Sequence, residues 1–178
     1  VDSMIKSGVK HVEFICANTD AKALYRNSAT IKLQLGNDLT RGLGAGSKPE
    51  IGKKSALEDR AKIEEILKGA DMLFIAAGMG GGTGTGAAPV IAEIARERGI
   101  LTVGVVTKPF AYEGEKRKQI AELGINELKE HVDSLIVLPN EKLLSELDED
   151  VSMREAFSAS DNILKGAVLG ITEVIKTP

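Results

Sequence analysis

Apolar and polar positions along this chain follow two periods in turn, one of two residues and one near 3.6. Residues 12–17 are β-rich and apolar and end at a polar turn, Asn18, Thr19 and Asp20. Residues 31–35 alternate apolar with polar, as an edge or half-exposed strand does. The unbroken apolar run at 72–77 predicts a strand covered on both faces. Further strands are predicted at 100–106 and 134–138. Between them the spacing turns helical. A charged amphipathic helix over 55–68 carries Ala56, Ile63, Ile66 and Leu67 on its apolar stripe. A second helix opens from the glycine cluster at 78–86 and carries Ala87, Val90, Ile91, Ile94 and Ala95. Others are predicted at 113–130, near 140–147, and over 152–176, where a clean stripe runs from Met153 to Ile175. Residues 36–54 read as a glycine-rich loop. Alternation of this kind predicts an α/β fold, a parallel sheet with helices on both faces that ends in one long helix.

Composition narrows the class. A length of 178 residues fits one domain spanning 1–178, since domains hold about 100–200 residues. Hydrophobic residues at 43% and charged residues at 28% exclude a disordered chain, a fibrous chain and a disulfide scaffold. No apolar run approaches the roughly 18 residues of a membrane helix. A net charge of −3 argues against a nucleic-acid partner. Aromatic residues at 3%, with no Trp, leave no stacking platform for single strands. Cys16 is the single cysteine, and no signal peptide is visible, so a cytoplasmic setting is expected. The first residue, Val1, falls inside a helical pattern, and the chain is expected to be a piece of a longer protein. His11 and His131 have no Cys or His partners at ligand spacing, and no protein metal centre is expected.

The chemistry sits where strands should end. In an open α/β sheet, ligands bind beyond the carboxyl ends of the strands. G-G-G-T-G-T-G at 80–86 lies between the 72–77 strand and a helix. Glycines there let the backbone approach a bulky anion and take φ > 0. The N–H groups and dipole of a helix start favour a phosphate. Thr83 and Thr85 add hydroxyls; a glycine loop without a ligand is the plain alternative. The P-loop pattern fails near Gly52-Lys53, because Ser47 and Lys54 stand at two required positions. The dinucleotide fingerprint fails at 78–86, where Thr falls on a required glycine. A dinucleotide-dependent oxidoreductase is therefore a distant reading.

At these residues the chain resembles the tubulin/FtsZ family, in its bacterial cell-division branch. A-N-T-D at 17–20, G-L-G-A-G at 42–46 with P-E-I-G at 49–52, and T-K-P-F at 107–110 occur in the family's order. E-G-E-K-R at 113–117, L-P-N at 138–140 and F-S-A-S-D at 157–161 complete the set. The resemblance implies a Rossmann-like GTP-binding domain that holds GTP or GDP with Mg²⁺. It places Asn18 and Asp20 near the phosphates and Mg²⁺, and Ala45 and Gly46 in the loop facing the γ-phosphate. Gly78, Gly80, Gly81, Gly82, Thr83, Gly84 and Thr85 would hold phosphate, with Mg²⁺ bound mainly through phosphates and water. Thr107 would contact ribose or phosphate, Glu113 ribose, Arg117 phosphate or ribose, and Asn140 the sugar or base.

Phe157 would stack on guanine, and Asp161, one helical turn on, would accept its two adjacent donors. Each of these has a plain reading too. Phe157 fits an apolar stripe, Asp161 a solvated charge and Asn140 an N-cap. Glu113 and Arg117 form an i, i+4 ion pair worth about 0.3–0.5 kcal/mol. Asn18 and Asp20 fit turn chemistry.

The resemblance further implies a GTPase that assembles head to tail with copies of itself into the cytoplasmic division ring. Adaptor proteins would bind through C-terminal parts, with no nucleic acid and no membrane insertion. The family's first strand and its glycine loop would precede Val1, and the loop bearing the catalytic acids would follow Pro178. No catalytic residue is therefore expected within the chain. Alone, the chain is expected to fold marginally and to lack assembly-driven hydrolysis. A nucleotide-binding cytoskeletal module without hydrolysis is the alternative. Ser47-Lys48 stands where the family suggests a pair containing Gly or Asn.

Overall fold

The structure, a computed structural model, describes residues 12–139 and the isolated positions 5, 162, 165, 166 and 170. The helices predicted near 140–147 and at 152–176 lie outside the described residues, as do Asn140, Phe157 and Asp161.

Five strands alternate with helices in the predicted order. They are β1 (Ile15–Asn18), β2 (Ile31–Gln34), β3 (Met72–Gly78), β4 (Leu101–Lys108) and β5 (Ser134–Pro139). The helices are α1 (Ala21–Arg26), α2 (Asn37–Thr40), α3 (Pro49–Glu58), α4 (Arg60–Leu67), α5 (Thr83–Glu97) and α6 (Glu115–Lys129), with a 3₁₀ turn at Ala111–Glu113. All strand pairings are parallel, as strand–helix–strand crossovers require. The described strands form two sheets rather than one, β1-β2 and β3-β4-β5. Ile15 lies opposite Ile31, Met72 opposite Leu101, and Val103 opposite Ser134.

The two-residue period sorts the side chains of β3 between two layers. Leu73, Ile75 and Ala77 face a cluster built on Ala88 and Ala92 of α5 and Ala121, Ile125 and Leu128 of α6. Met72, Phe74 and Ala76 pack on the opposite side with Val103, Val105, Ile136, Leu138 and Phe14. Of the 72–77 run only Ile75 is fully buried, so the predicted cover on both faces is partial. A third cluster joins the two sheets: Leu33 and Leu35 meet Ala56, Ile63 and Leu67, and Val90, Ile94 and Ala95 of α5. The apolar stripe read from 55–68 is thus the buried face.

That stretch is not one helix. It starts six residues earlier, with Pro49 in the first turn, where proline's fixed φ and missing N–H cost nothing. It breaks at Asp59, whose backbone leaves the helix at φ −102° and ψ 25°. The buried Asp59 carboxylate accepts the Gly36 N–H at 2.7 Å and pairs with Lys62 Nζ at 3.0 Å. The supposed loop over 36–54 therefore holds α2 and the first turns of α3.

Candidate functional site

The site is built from the carboxyl end of β1 toward that of β4. Beyond β1, the Asn18 side-chain oxygen accepts the Asp20 N–H at 3.2 Å. Asp20 caps α1, its Oδ1 accepting from Lys22 N at 2.9 Å and Ala23 N at 3.0 Å. The turn chemistry read from the sequence is present, and the Asp20 carboxylate stays partly exposed. The loop 42–46 is stitched across this turn. Ala21 N donates to Gly42 O at 3.0 Å, and Gly44 N to Thr19 O at 3.2 Å. Ala45 is buried under that loop, while Gly46 and Ser47 are exposed with φ of +59° and +60°.

Between β3 and α5 each glycine of the loop has its own use. Gly80 takes φ +111°, and its N–H donates to the buried Thr85 hydroxyl at 2.9 Å. Thr85 thus shapes the loop from within. A Cβ at Gly82 would stand 2.7 Å from the Ala45 methyl and 2.8 Å from Lys48 N. At Gly84 it would stand 2.6 Å from Gly78 O, and at Gly86 it would overlap the Pro49 carbonyl oxygen. A Cβ at Gly52 would overlap Gly82 O in return. Gly82, Gly84 and Gly86 are therefore glycines because backbone packs on backbone, a need separate from any anion. Gly81 differs: nothing lies within 4 Å of the place its Cβ would take. Its open side adjoins the start of α5, whose first N–H groups have no partner within the helix.

The remaining residues close the rim. Met79 N donates to Thr107 O at 3.0 Å, and Gly78, exposed at the end of β3, stands beside the half-buried Thr107. Gly80 abuts the backbone of Arg117 at the start of α6. Glu113 accepts the Phe110 N–H at 2.7 Å through one oxygen, and the other lies 3.5 Å from Arg117 Nη1. The predicted i, i+4 pair therefore forms, with the Arg117 side chain about half exposed. Tyr112 stacks on the buried Phe110 ring at 5.1 Å. Partial burial, and then the Glu113 carboxylate, push its phenol pKa above the ordinary value.

Among the described residues, no group of three or more His, Cys, Asp or Glu could hold a metal ion. Every described candidate residue lies along this continuous rim. Sequence reasoning assigned no role to Thr19, whose fully buried hydroxyl meets Thr83 Oγ1 at 2.6 Å. Its place between Asn18 and Asp20 at a strand end was the available signal. It named Gly52 within P-E-I-G but not its packing against Gly82, which lies in another motif.

Fold and site together define a parallel α/β domain with a glycine-built loop at its strand ends. The Tubulin/FtsZ family, GTPase domain, matches residues 2–148. The chain belongs to the tubulin/FtsZ family. It is 61% identical over 178 residues to the cell division protein FtsZ of Neisseria meningitidis serogroup A, covering 100% of this chain and 45% of that protein. The corresponding protein of Pseudomonas aeruginosa shows the same identity and coverage, 61%, 100% and 45%. An empty FtsZ dimer from M. jannaschii superimposes with a TM-score of 0.95 at 43% identity, over 100% of this chain and 52% of that one. The GDP-bound CetZ1 monomer of Haloferax volcanii, at 24% identity and a TM-score of 0.77 over 99% and 57% of the two chains, shares the fold. The chain spans about half the length of these relatives.

Proposed function

We propose that this chain is the GTP-binding part of a polymerising cell-division GTPase, with residues 1–178 forming one nucleotide-binding unit around a helix at 152–176. The observation that carries this is the loop between β3 and α5, held in shape by Thr85 and by glycine packing, with an open face at Gly81. The 61% identity to proteins named for cell division supports the biological assignment.

Backbone N–H groups of Gly81 and Gly82 and the helix start take up the phosphate charge, while Gly80, whose N–H is given to Thr85, holds the loop that presents them. Thr83, Thr107 and Arg117 flank them, and Ala45 and Gly46 cover the terminal phosphate. Glu113, already held by Phe110 N and Arg117, presents its carboxylate toward the ribose. Phe157, Asp161 and Asn140 would select guanine by stacking and paired hydrogen bonds.

The donor set suits Mg²⁺ carried in on phosphates. The rim offers amides and hydroxyls for anions, and Asp20, beside Asn18, is the carboxylate placed to hold a water of the ion's shell. Bound Mg²⁺ would neutralise phosphate charge. No catalytic acid is assigned within the chain, and an acidic loop of the next subunit would position the attacking water. Such a divided site makes turnover depend on head-to-tail assembly. The expected place of action is the cytoplasmic division ring, with adaptor proteins binding elsewhere. Among the described residues no helix is long and apolar enough to cross a membrane.

GTP turnover across a dilution series of a protein that carries both this chain and the acidic loop tests this. A concentration threshold is the expected outcome, and GTP bound without turnover at any concentration would leave a non-hydrolysing module. Asp161→Ala should weaken GTP by about 1.5–3 kcal/mol and narrow its preference over ATP. Equal GTP and ATP affinities in the unsubstituted full chain would overturn the base assignment.

A further inference from the structure

The Thr19–Thr83 pair sets the direction in which a proton points into the cleft. Thr19 is fully buried at the end of β1, and Thr83 is the first residue of α5, only partly buried. Their hydroxyl oxygens stand 2.6 Å apart, and geometry alone allows either to donate. Burial decides between the two. Among the described residues the Thr19 hydroxyl has Thr83 Oγ1 as its one partner. A hydroxyl carries one proton. If Thr83 gave its proton to Thr19, the Thr19 proton would be left buried without an acceptor, the costly arrangement for a polar group. If Thr19 donates, its proton is satisfied, and the Thr83 proton turns to the open side of the α5 start.

We infer that Thr19 is a positioning residue: by donating to Thr83 it fixes the Thr83 hydroxyl as an outward hydrogen-bond donor to a phosphate oxygen. The inference rests on the proposed phosphate site and adds to it a residue that never touches the ligand. Its backbone is fixed for the task. The Thr19 carbonyl accepts from Gly44 N at 3.2 Å, and the Thr40 hydroxyl lies between it, at 3.3 Å, and Gly36 O, at 3.1 Å. These contacts hold the backbone from which the Thr19 side chain reaches Thr83. A donor already oriented loses less freedom when an anion arrives.

The test is a double-substitution cycle in the full chain, read as affinity for GTP, GDP and guanosine. Thr19→Val keeps the branched shape and removes the donor, and Thr83→Val removes the presented hydroxyl. Each alone should weaken GTP about tenfold, the scale of one net hydrogen bond. The double variant should lose little more than either single one, and guanosine affinity should not move. Thr19→Ser should restore most of the GTP affinity. Full additivity of the two losses, or unchanged GTP affinity in a folded Thr19→Val, overturns the inference while leaving the phosphate site standing. Equal affinity of the unsubstituted chain for GTP and guanosine overturns the phosphate site itself, and the inference with it. If Thr19→Val melts early, Thr19→Ser and Thr83→Val decide. Thr19→Ser must bind GTP as the unsubstituted chain does and Thr83→Val must lose about tenfold, and any other result is overturning.

Discussion

Ser47 and Gly46 occupy the left-handed region one after the other, at +60° and +59°. Glycine does so freely, whereas an L-residue incurs about 1–2 kcal/mol from its Cβ. Ser47 keeps the conformation against its own propensity. Ser47→Gly should therefore raise stability by about 0.5–1 kcal/mol, after allowing for the greater freedom of glycine in the unfolded chain. Ser47→Val should lower it. Urea midpoints of the two variants give the comparison. Asp20 offers a cleaner separation of roles. Asn caps a helix as well as Asp does, and Ala does not. Asp20→Ala should cost about 1 kcal/mol through α1. Asp20→Asn should melt like the unsubstituted chain and yet bind GTP with a weaker dependence on Mg²⁺. An Asp20→Asn variant with unchanged Mg²⁺ dependence would remove Asp20 from the metal's surroundings.

Elements were legible where their period was long and unbroken. All five described strands were placed from apolar runs within a few residues, and the buried stripe of Ala56, Ile63 and Leu67 was named correctly. The break at Asp59 was not legible, because its cause is a carboxylate reaching Gly36, 23 positions away. The helix α1 was missed for the opposite reason. It has six residues, too few to show a period, and its one signal was the capping Asp20. For the glycine loop, sequence showed that glycines matter without telling packing from anion binding. Melting of two alanine variants separates them. Gly86→Ala drives a methyl into the Pro49 carbonyl and should destabilise by about 3 kcal/mol or more. Gly81→Ala meets nothing and should melt nearly normally while binding GTP less well. Ion pairs between elements give a pH signature. Lys53 of α3 bonds Glu127 of α6 at 2.8 Å, which holds its ammonium pKa above the ordinary 10.5. A raised pKa means this contribution is complete below 10.5 and lost as pH rises through the folded value. Both side chains are about half exposed, so the effect should be a fraction of a kcal/mol. Lys53→Met should flatten the alkaline side of the stability profile.

Across the whole molecule, the described strands split into two hydrogen-bonded groups that share a core. Strand hydrogen bonds give cooperativity within β1-β2 and within β3-β4-β5, while side-chain packing and loop contacts join the groups. Leu35 sits fully buried in the joining cluster. Leu35→Ala should cost about 2–5 kcal/mol. The loss should appear first as faster amide exchange in β1 and β2, with β4 protected longest, because local opening follows hydrogen-bonded units. Simultaneous loss of protection in all five strands would show a single cooperative unit instead. The crossing of α3 on α5, where Gly52 and Gly86 let backbone rest on backbone, sits between the glycine loop after β3 and that shared core. Side chains at a crossing can absorb a small displacement by changing rotamer, but peptide groups have no such play. In mechanical terms the crossing is a stiff coupling without lost motion: a shift of a few tenths of an ångström at Gly82 must be carried into the first turn of α3.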